Sequence, residues 1–188
     1  PASLRNAEPA RTEIVISGSA VSESAEYIGF TIGLSNFAAP GVLELAVKGG
    51  SATEGADYVN ALEFYNGTAW VALVPEASGH YLVPTPAGAG SIKLRLPIID
   101  DQLSEKNETI VLSLEGLTVG GLPVPQSELS ASSVTSGVAV IVEDYKNNSG
   151  APGTGLYELD GPVVSVTRTS NLYEYEDAET ANNNEPSG

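Results

Sequence analysis

Ser91-Ile92-Lys93-Leu94-Arg95-Leu96-Pro97-Ile98 alternates without a break. Ile92, Leu94, Leu96 and Ile98 fall on one face, Lys93 and Arg95 on the other. Successive side chains of a β-strand point to opposite faces, so a period of two reads as a strand with one buried face. The pattern recurs along the chain. Glu13-Ile14-Val15-Ile16 begins a strand, and Tyr27-Ile28-Gly29-Phe30-Thr31-Ile32-Gly33-Leu34 sets larger apolar residues against small ones. Val42-Leu43-Glu44-Leu45-Ala46-Val47, residues 109–114 and residues 137–142 complete the set. Gly, Pro, Asn and Ser separate these runs. Short alternating runs with turn signals between them imply an all-β fold, an antiparallel β-sandwich. Long segments of 3.6 period are missing, so little helix is expected.

Two regions interrupt the regular spacing. Residues 60–90 contain Phe64-Tyr65-Asn66-Gly67-Thr68-Ala69-Trp70, where Asn66-Gly67 is a hairpin turn signal between two short apolar arms. Residues 116–136 are rich in Gly, Pro and Ser. The expected organisation is a sandwich over residues 1–145 with insertions at 60–90 and 116–136. Residues 146–188 then read as a linker with an extra strand at 162–166 and a mobile tail.

The alternating strand runs directly into Ile99-Asp100-Asp101-Gln102-Leu103-Ser104-Glu105-Lys106-Asn107-Glu108. Asp100, Asp101, Glu105 and Glu108 repel one another unless they are spread in water or gathered around a cation. Calcium, a hard divalent ion, takes six to eight oxygen ligands, commonly carboxylates from loops. A solvated acidic turn is the other reading of this stretch.

Lys plus Arg number 8 and Asp plus Glu 24, for a net charge of −16 and a pI near 4.1. A chain with this balance lacks the basic footprint that binds nucleic acid through phosphates. It is also repelled by anionic lipid surfaces. Its self-repulsion disfavours a compact state unless counter-ions relieve it. A hydrophobic content of 41% excludes disorder by composition. There is no Cys, which removes disulfides, thiol catalysis and thiolate metal sites. There is no Met either, so an excised fragment or a processed chain is expected. No apolar run approaches the roughly 20 residues of a membrane span, and direct membrane insertion is not expected.

Four segments in order resemble the Calx-β family of sodium–calcium exchangers and bacterial surface proteins. They are Val21-Ser22-Glu23, Gly55-Ala56-Asp57-Tyr58, the Asp100-Asp101 to Glu105 and Glu108 spacing, and Val140-Ile141-Val142-Glu143-Asp144. The resemblance implies a seven-stranded sandwich with Ca2+ where loops converge at one end. It implies Glu23, Asp57, Asp101, Glu105 and Asp144 as ligands, with Asp100, Glu108 and Glu143 as further candidates. Glu143 stands where the family has Asp. Residues 60–90 depart from the exchanger pattern and are similar to repeats of bacterial RTX adhesins, secreted by type I systems. Asn66-Gly67-Thr68-Ala69-Trp70 and Val83-Pro84-Thr85-Pro86-Ala87-Gly88 carry that similarity. It implies an extracellular place on a bacterial cell surface, beside neighbouring domains of the same adhesin.

Three functions compete on these grounds. One is a calcium-dependent binding module that captures a peptide terminus or a glycan. Another is a calcium-rigidified spacer in the adhesin stalk. The third, an enzyme, is disfavoured. His80, the single His, sits in a Gly- and Pro-rich stretch and reads as a surface loop residue. No Gly-x-Ser-x-Gly elbow occurs. Exposed aromatics can stack on sugars or anchor peptides, but packing on the hairpin is the reading for Trp70.

Overall fold

The computed structural model describes residues 10–101 and 105–143. The strands are β1 (Glu13–Gly18), β2 (Ala20–Ser22), β3 (Tyr27–Ser35), β4 (Gly41–Gly49), β5 (Glu63–Tyr65) and β6 (Trp70–Ala72). They continue with β7 (Tyr81–Thr85), β8 (Ser91–Pro97), β9 (Glu108–Val119), β10 (Leu122–Pro123) and β11 (Ser136–Val142). One turn of 3-10 helix, Gln126–Glu128, is the only helical segment among the described residues. No helix among them is long and apolar enough to cross a membrane.

The strands form two packed sheets. The first has the order β1-β3-β8-β5-β6, and the second β2-β11-β9-β4-β7 with β10 against β9. The alternation read from the sequence fills the space between them. Ile14, Ile16, Ile28, Phe30, Ile32, Leu94 and Leu96 point inward from the first sheet. Leu43, Leu45, Tyr81, Val83, Ile110, Leu112 and Ile141 meet them from the second, in one continuous core. Each large apolar side chain so buried contributes roughly 1.5–3 kcal/mol relative to an exposed position.

The sandwich is mixed rather than wholly antiparallel. Past Gly18 the chain leaves the first sheet, and β2 joins the second by parallel pairing of Val21 with Ile141. A Cβ at Gly18 would lie 2.3–2.5 Å from the backbone of Val138 and Ala139. Only glycine lets the chain cross so closely. The strand at 109–114 runs further than its apolar pattern suggests. Glu44 pairs with Gly116 and Leu45 with Leu114, so Glu115 bulges and β9 continues to Val119.

Residues 60–90 supply strands to both sheets. β5 and β6 are the arms of the hairpin, with Tyr65 opposite Trp70. Its turn holds four residues, because the Asn66 side chain accepts from the backbone N–H groups of Thr68 and Ala69, both at 2.9 Å. β7 pairs along β4 and buries Tyr81, Val83 and Thr85. The linker, the strand at 162–166 and the tail expected over 146–188 lie outside the described residues.

Candidate metal centre

The candidate ligands sit where β8 ends and β9 begins. A tight turn over 53–58 carries Asp57. The Asp57 carboxylate accepts from the Thr53 N–H, while the Ala56 and Asp57 N–H groups donate to the Thr53 carbonyl at 3.2 and 2.9 Å. Gly55 provides the left-handed φ of +86° that closes the turn. Two anchors fix this turn in place. On one side the Ile99 N–H donates to the Asp57 carbonyl at 2.9 Å, and Val59 N–H donates to Pro97 at 3.0 Å. On the other, Gly50 N–H donates to the Thr109 carbonyl at 2.8 Å and Ser51 N–H to the Thr109 hydroxyl at 3.0 Å. The turn is therefore drawn against the first residues of β9, where Glu108 stands.

Asp57, Glu105 and Glu108 each bring a carboxylate oxygen within 4.8 Å of the others. All three are half-buried. Burial, then the adjacent Asp57 carboxylate, then the charges of Glu105 and Glu143 push the Glu108 carboxyl up to about 8. Glu23 and Glu143 form a second, buried pair beside them, only 6% and 9% exposed. Burial and the Glu23 charge push Glu143 up to about 7, against the partial relief of a bond from the Glu105 backbone. The Glu143 Oε1 atom is buried and has no hydrogen-bond partner among the described residues. A buried carboxylate oxygen in that condition costs free energy unless it is protonated or takes a cation.

The surrounding backbone holds these groups in place. Glu23 N–H donates to the Val142 carbonyl at 2.9 Å, and Glu23 Oε1 accepts from Asp101 N–H at 3.2 Å. Glu143 N–H donates to Asn107 Oδ1 at 3.1 Å. Ligands on opposite sides of a calcium ion, at about 2.3–2.6 Å each, stand roughly 4.6–5.2 Å apart. The oxygens of Asp57, Glu105 and Glu108 fit within that span. A cluster of carboxylates without thiol or imidazole suits a hard cation.

Of the other candidates, Asp101 is half-buried and meets Glu23 through its backbone, and Asp100 is exposed. Asp144 lies outside the described residues. The sequence does not mark Asn107, whose amide side chain orients Glu143. An Asn just before a strand is its only signal, and that signal is common. His80 is half-buried, with Nδ1 2.7 Å from Glu44 Oε1 beside β4. Trp70 packs against Tyr65, their ring centroids 5.4 Å apart.

No family model matches the chain, and no curated protein matches it. Among solved structures, the chain is similar to the apo form of the Calx CBD1 domain at 16% identity and a TM-score of 0.46, covering 70% of this chain and 99% of that one. The Calx CBD2 domain shows 11% identity and a TM-score of 0.47, covering 72% and 89%. A collagen-binding domain from a Staphylococcus aureus adhesin shows 11% identity and a TM-score of 0.35, covering 69% and 97%. At these scores and identities the likenesses decide neither family nor ligand.

Proposed function

We propose that this domain is a calcium-binding module whose ion is held at one end of the sandwich by Asp57, Glu105 and Glu108. The convergence of those three carboxylates carries the reading. Glu23 and Glu143 stand beside them with Glu143 Oε1 unpartnered among the described residues, which extends the anionic donor set. Asp101 and Asp100 border the cluster. Calcium would supply the positive charge that lets these groups ionise together, and it would tie the 53–58 turn to the start of β9.

The wider reading is a binding module of a secreted bacterial RTX adhesin, acting at the cell surface. The similarity of residues 66–70 and 83–88 to adhesin repeats supports it, together with strong acidity and the absence of Cys. An ion with an open coordination position takes a peptide's terminal carboxylate or the vicinal hydroxyls of a glycan. The domain itself is read as a non-enzymatic module.

Calorimetric titration with calcium tests the ion site. Asp57→Asn and Glu105→Ala should each weaken binding at least tenfold, because each removes an anionic oxygen ligand. Glu115→Gln, on the face of the second sheet, should leave affinity unchanged. Equal losses in all three variants would reduce the effect to net charge and sink the site. Peptide and glycan arrays probed in millimolar calcium and in chelator test the capture role, and blank arrays would leave a calcium-stiffened spacer.

A further inference from the structure

The outer face of the first sheet holds a second feature that the calcium end does not explain. On β3 the residues pointing out are Tyr27, Gly29 and Thr31, and on β8 they are Lys93 and Arg95. Register places Gly29 opposite Arg95 and Thr31 opposite Lys93. The β5–β6 hairpin walls this face with Trp70. Between them lies an open cleft of about 240 Å³, lined by Ser17, Ser19, Gly29, Thr31, Trp70 and Lys93 among others. Among the described residues no carboxylate lines it.

Three properties of the cleft are unusual for this chain. Its aromatic wall is fixed in advance. The Arg95 guanidinium sits 3.7 Å from the Tyr27 ring centroid and 4.4 Å from that of Trp70, and its Nε donates to Glu63 Oε2 at 2.6 Å. A wall so held loses little freedom when a ligand arrives. Its floor is open without backbone necessity. A Cβ at Gly29 would meet Ser19 Oγ at 3.5 Å and Leu94 O at 3.8 Å, which is ordinary contact, so the backbone there does not demand glycine and a side chain would extend into the cleft. Finally, Lys93 has no ion pair among the described residues, in a chain with 24 acids and 8 bases. Lys93 also lines the neighbouring cleft of about 440 Å³ on the Tyr65 side of the hairpin.

We infer that this cleft is a carbohydrate subsite for a sugar ring bearing a carboxylate, separate from the calcium end. A pyranose has one apolar C–H face and a rim of hydroxyls. The apolar face suits the part of Trp70 that lines the cleft, the ring already carrying the Arg95 guanidinium at 4.4 Å. Among the hydroxyls, Thr31 offers both a donor and an acceptor, while Ser17, which donates to the Thr31 carbonyl at 3.4 Å, and Ser19, which is bonded to the Gly29 carbonyl and N–H at 3.0 Å each, offer a remaining lone pair as acceptor. The carboxylate suits the Lys93 ammonium through a charge-assisted bond. Lys93 lies about seven strand residues from Asp100, roughly 23 Å at 3.3 Å per residue, and so beyond the screening length of the carboxylate end in physiological salt.

Trp70 is the only tryptophan, so intrinsic emission reports on the cleft directly. Calcium-saturated protein, with calcium kept in excess, is titrated with trigalacturonate and with its neutral counterpart whose carboxylates are reduced to alcohols. The emission should shift saturably, with trigalacturonate bound about tenfold or more tightly than the neutral trimer. Lys93→Gln, checked for an unchanged melting temperature, should reduce the acidic sugar to the affinity of the neutral one. Gly29→Leu, which fills the floor, should abolish the emission change with both. No emission change with either sugar, or equal affinities in the unaltered protein, overturns the proposal. Binding that survives Lys93→Gln but is lost in Asp57→Asn would move the sugar to the calcium end. That result overturns this site while leaving the calcium reading intact.

Discussion

The faces of the two sheets and the carboxylate end treat the same residue type in opposite ways. On the faces each of three glutamates has a partner of opposite charge or an imidazole. Lys48 Nζ stands 2.7 Å from Glu115, His80 Nδ1 2.7 Å from Glu44, and Arg95 Nε 2.6 Å from Glu63. The Glu115 carboxyl is held low, first by its bonds from Lys48 and Ser113. At the end, Glu108 and Glu143 are pushed up, and the charges acting on them are other carboxylates. The faces carry their counter-charge within the chain. For Glu108 and Glu143, relief from those charges comes with a proton or a cation. Stability of the end should therefore depend on solution conditions in a way the faces do not.

The largest consequence is the response to calcium. Binding to the native state alone stabilises by about 4 kcal/mol at a thousand times the dissociation constant. For a domain of this size that is roughly 8–16 °C in melting temperature. Melts in calcium and in chelator should separate by that order. Coincident curves would erase the distinction between the two regions.

Acidity gives the next effect, with opposite signs in the two conditions. In chelator, Glu108 and Glu143 titrate in the folded state near 8 and 7, against 4.5 when unfolded. Between those limits the native state binds more protons than the unfolded state, so stability falls as pH rises from about 4.5 to 8. With calcium present the carboxylates must be ionised to serve as ligands, so acid competes with the metal and stability falls as pH drops. Glu108→Gln sharpens the contrast. It removes the repulsion, so the variant should melt higher than the parent in chelator at pH 8, and lower in saturating calcium. A variant that melts lower in both conditions would show Glu108 to be an ordinary structural carboxylate.

How far these regions could be read in advance differs for physical reasons. The six strands with clean alternation stand where the period of two puts them, because burial on one face enforces it. β7 is not marked by its local pattern because Pro84 interrupts Tyr81–Thr85. Proline is tolerated there since, among the described residues, β7 is the edge of its sheet and one side of its backbone has no ladder partner. β2 is three residues long and held by parallel pairing to β11, a contact distant in sequence. At the carboxylate end, residue type and spacing pointed to the stretch. The grouping of Asp57 with Glu105 and Glu108 depends instead on the Gly50 and Ser51 bonds to Thr109, which no local pattern announces. The Glu23–Glu143 pair likewise arises from β2 lying beside β11.

The smallest expected effects separate one face pair from another. Lys48 and Glu115 have side chains 58% and 30% exposed, and an exposed pair contributes about 0.2–1 kcal/mol, less in high salt. Arg95 and Glu63 are each 23% exposed, and Arg95 lies against Tyr27 and Trp70 as well. Lost cation–π contact and lost packing of its stem add about 0.5–1 kcal/mol to the pair. Arg95→Gln should therefore destabilise more than Lys48→Gln in denaturant melts, by roughly 1 kcal/mol, and most of that difference should persist in 1 M salt. Glu63→Gln alone should reproduce little of the Arg95 cost, since the contacts of Arg95 with the two rings remain. If Arg95→Gln and Glu63→Gln prove equal, and both vanish in salt, the aromatic contacts add nothing. Trp70 would then stand by its own packing rather than by the arginine between the rings.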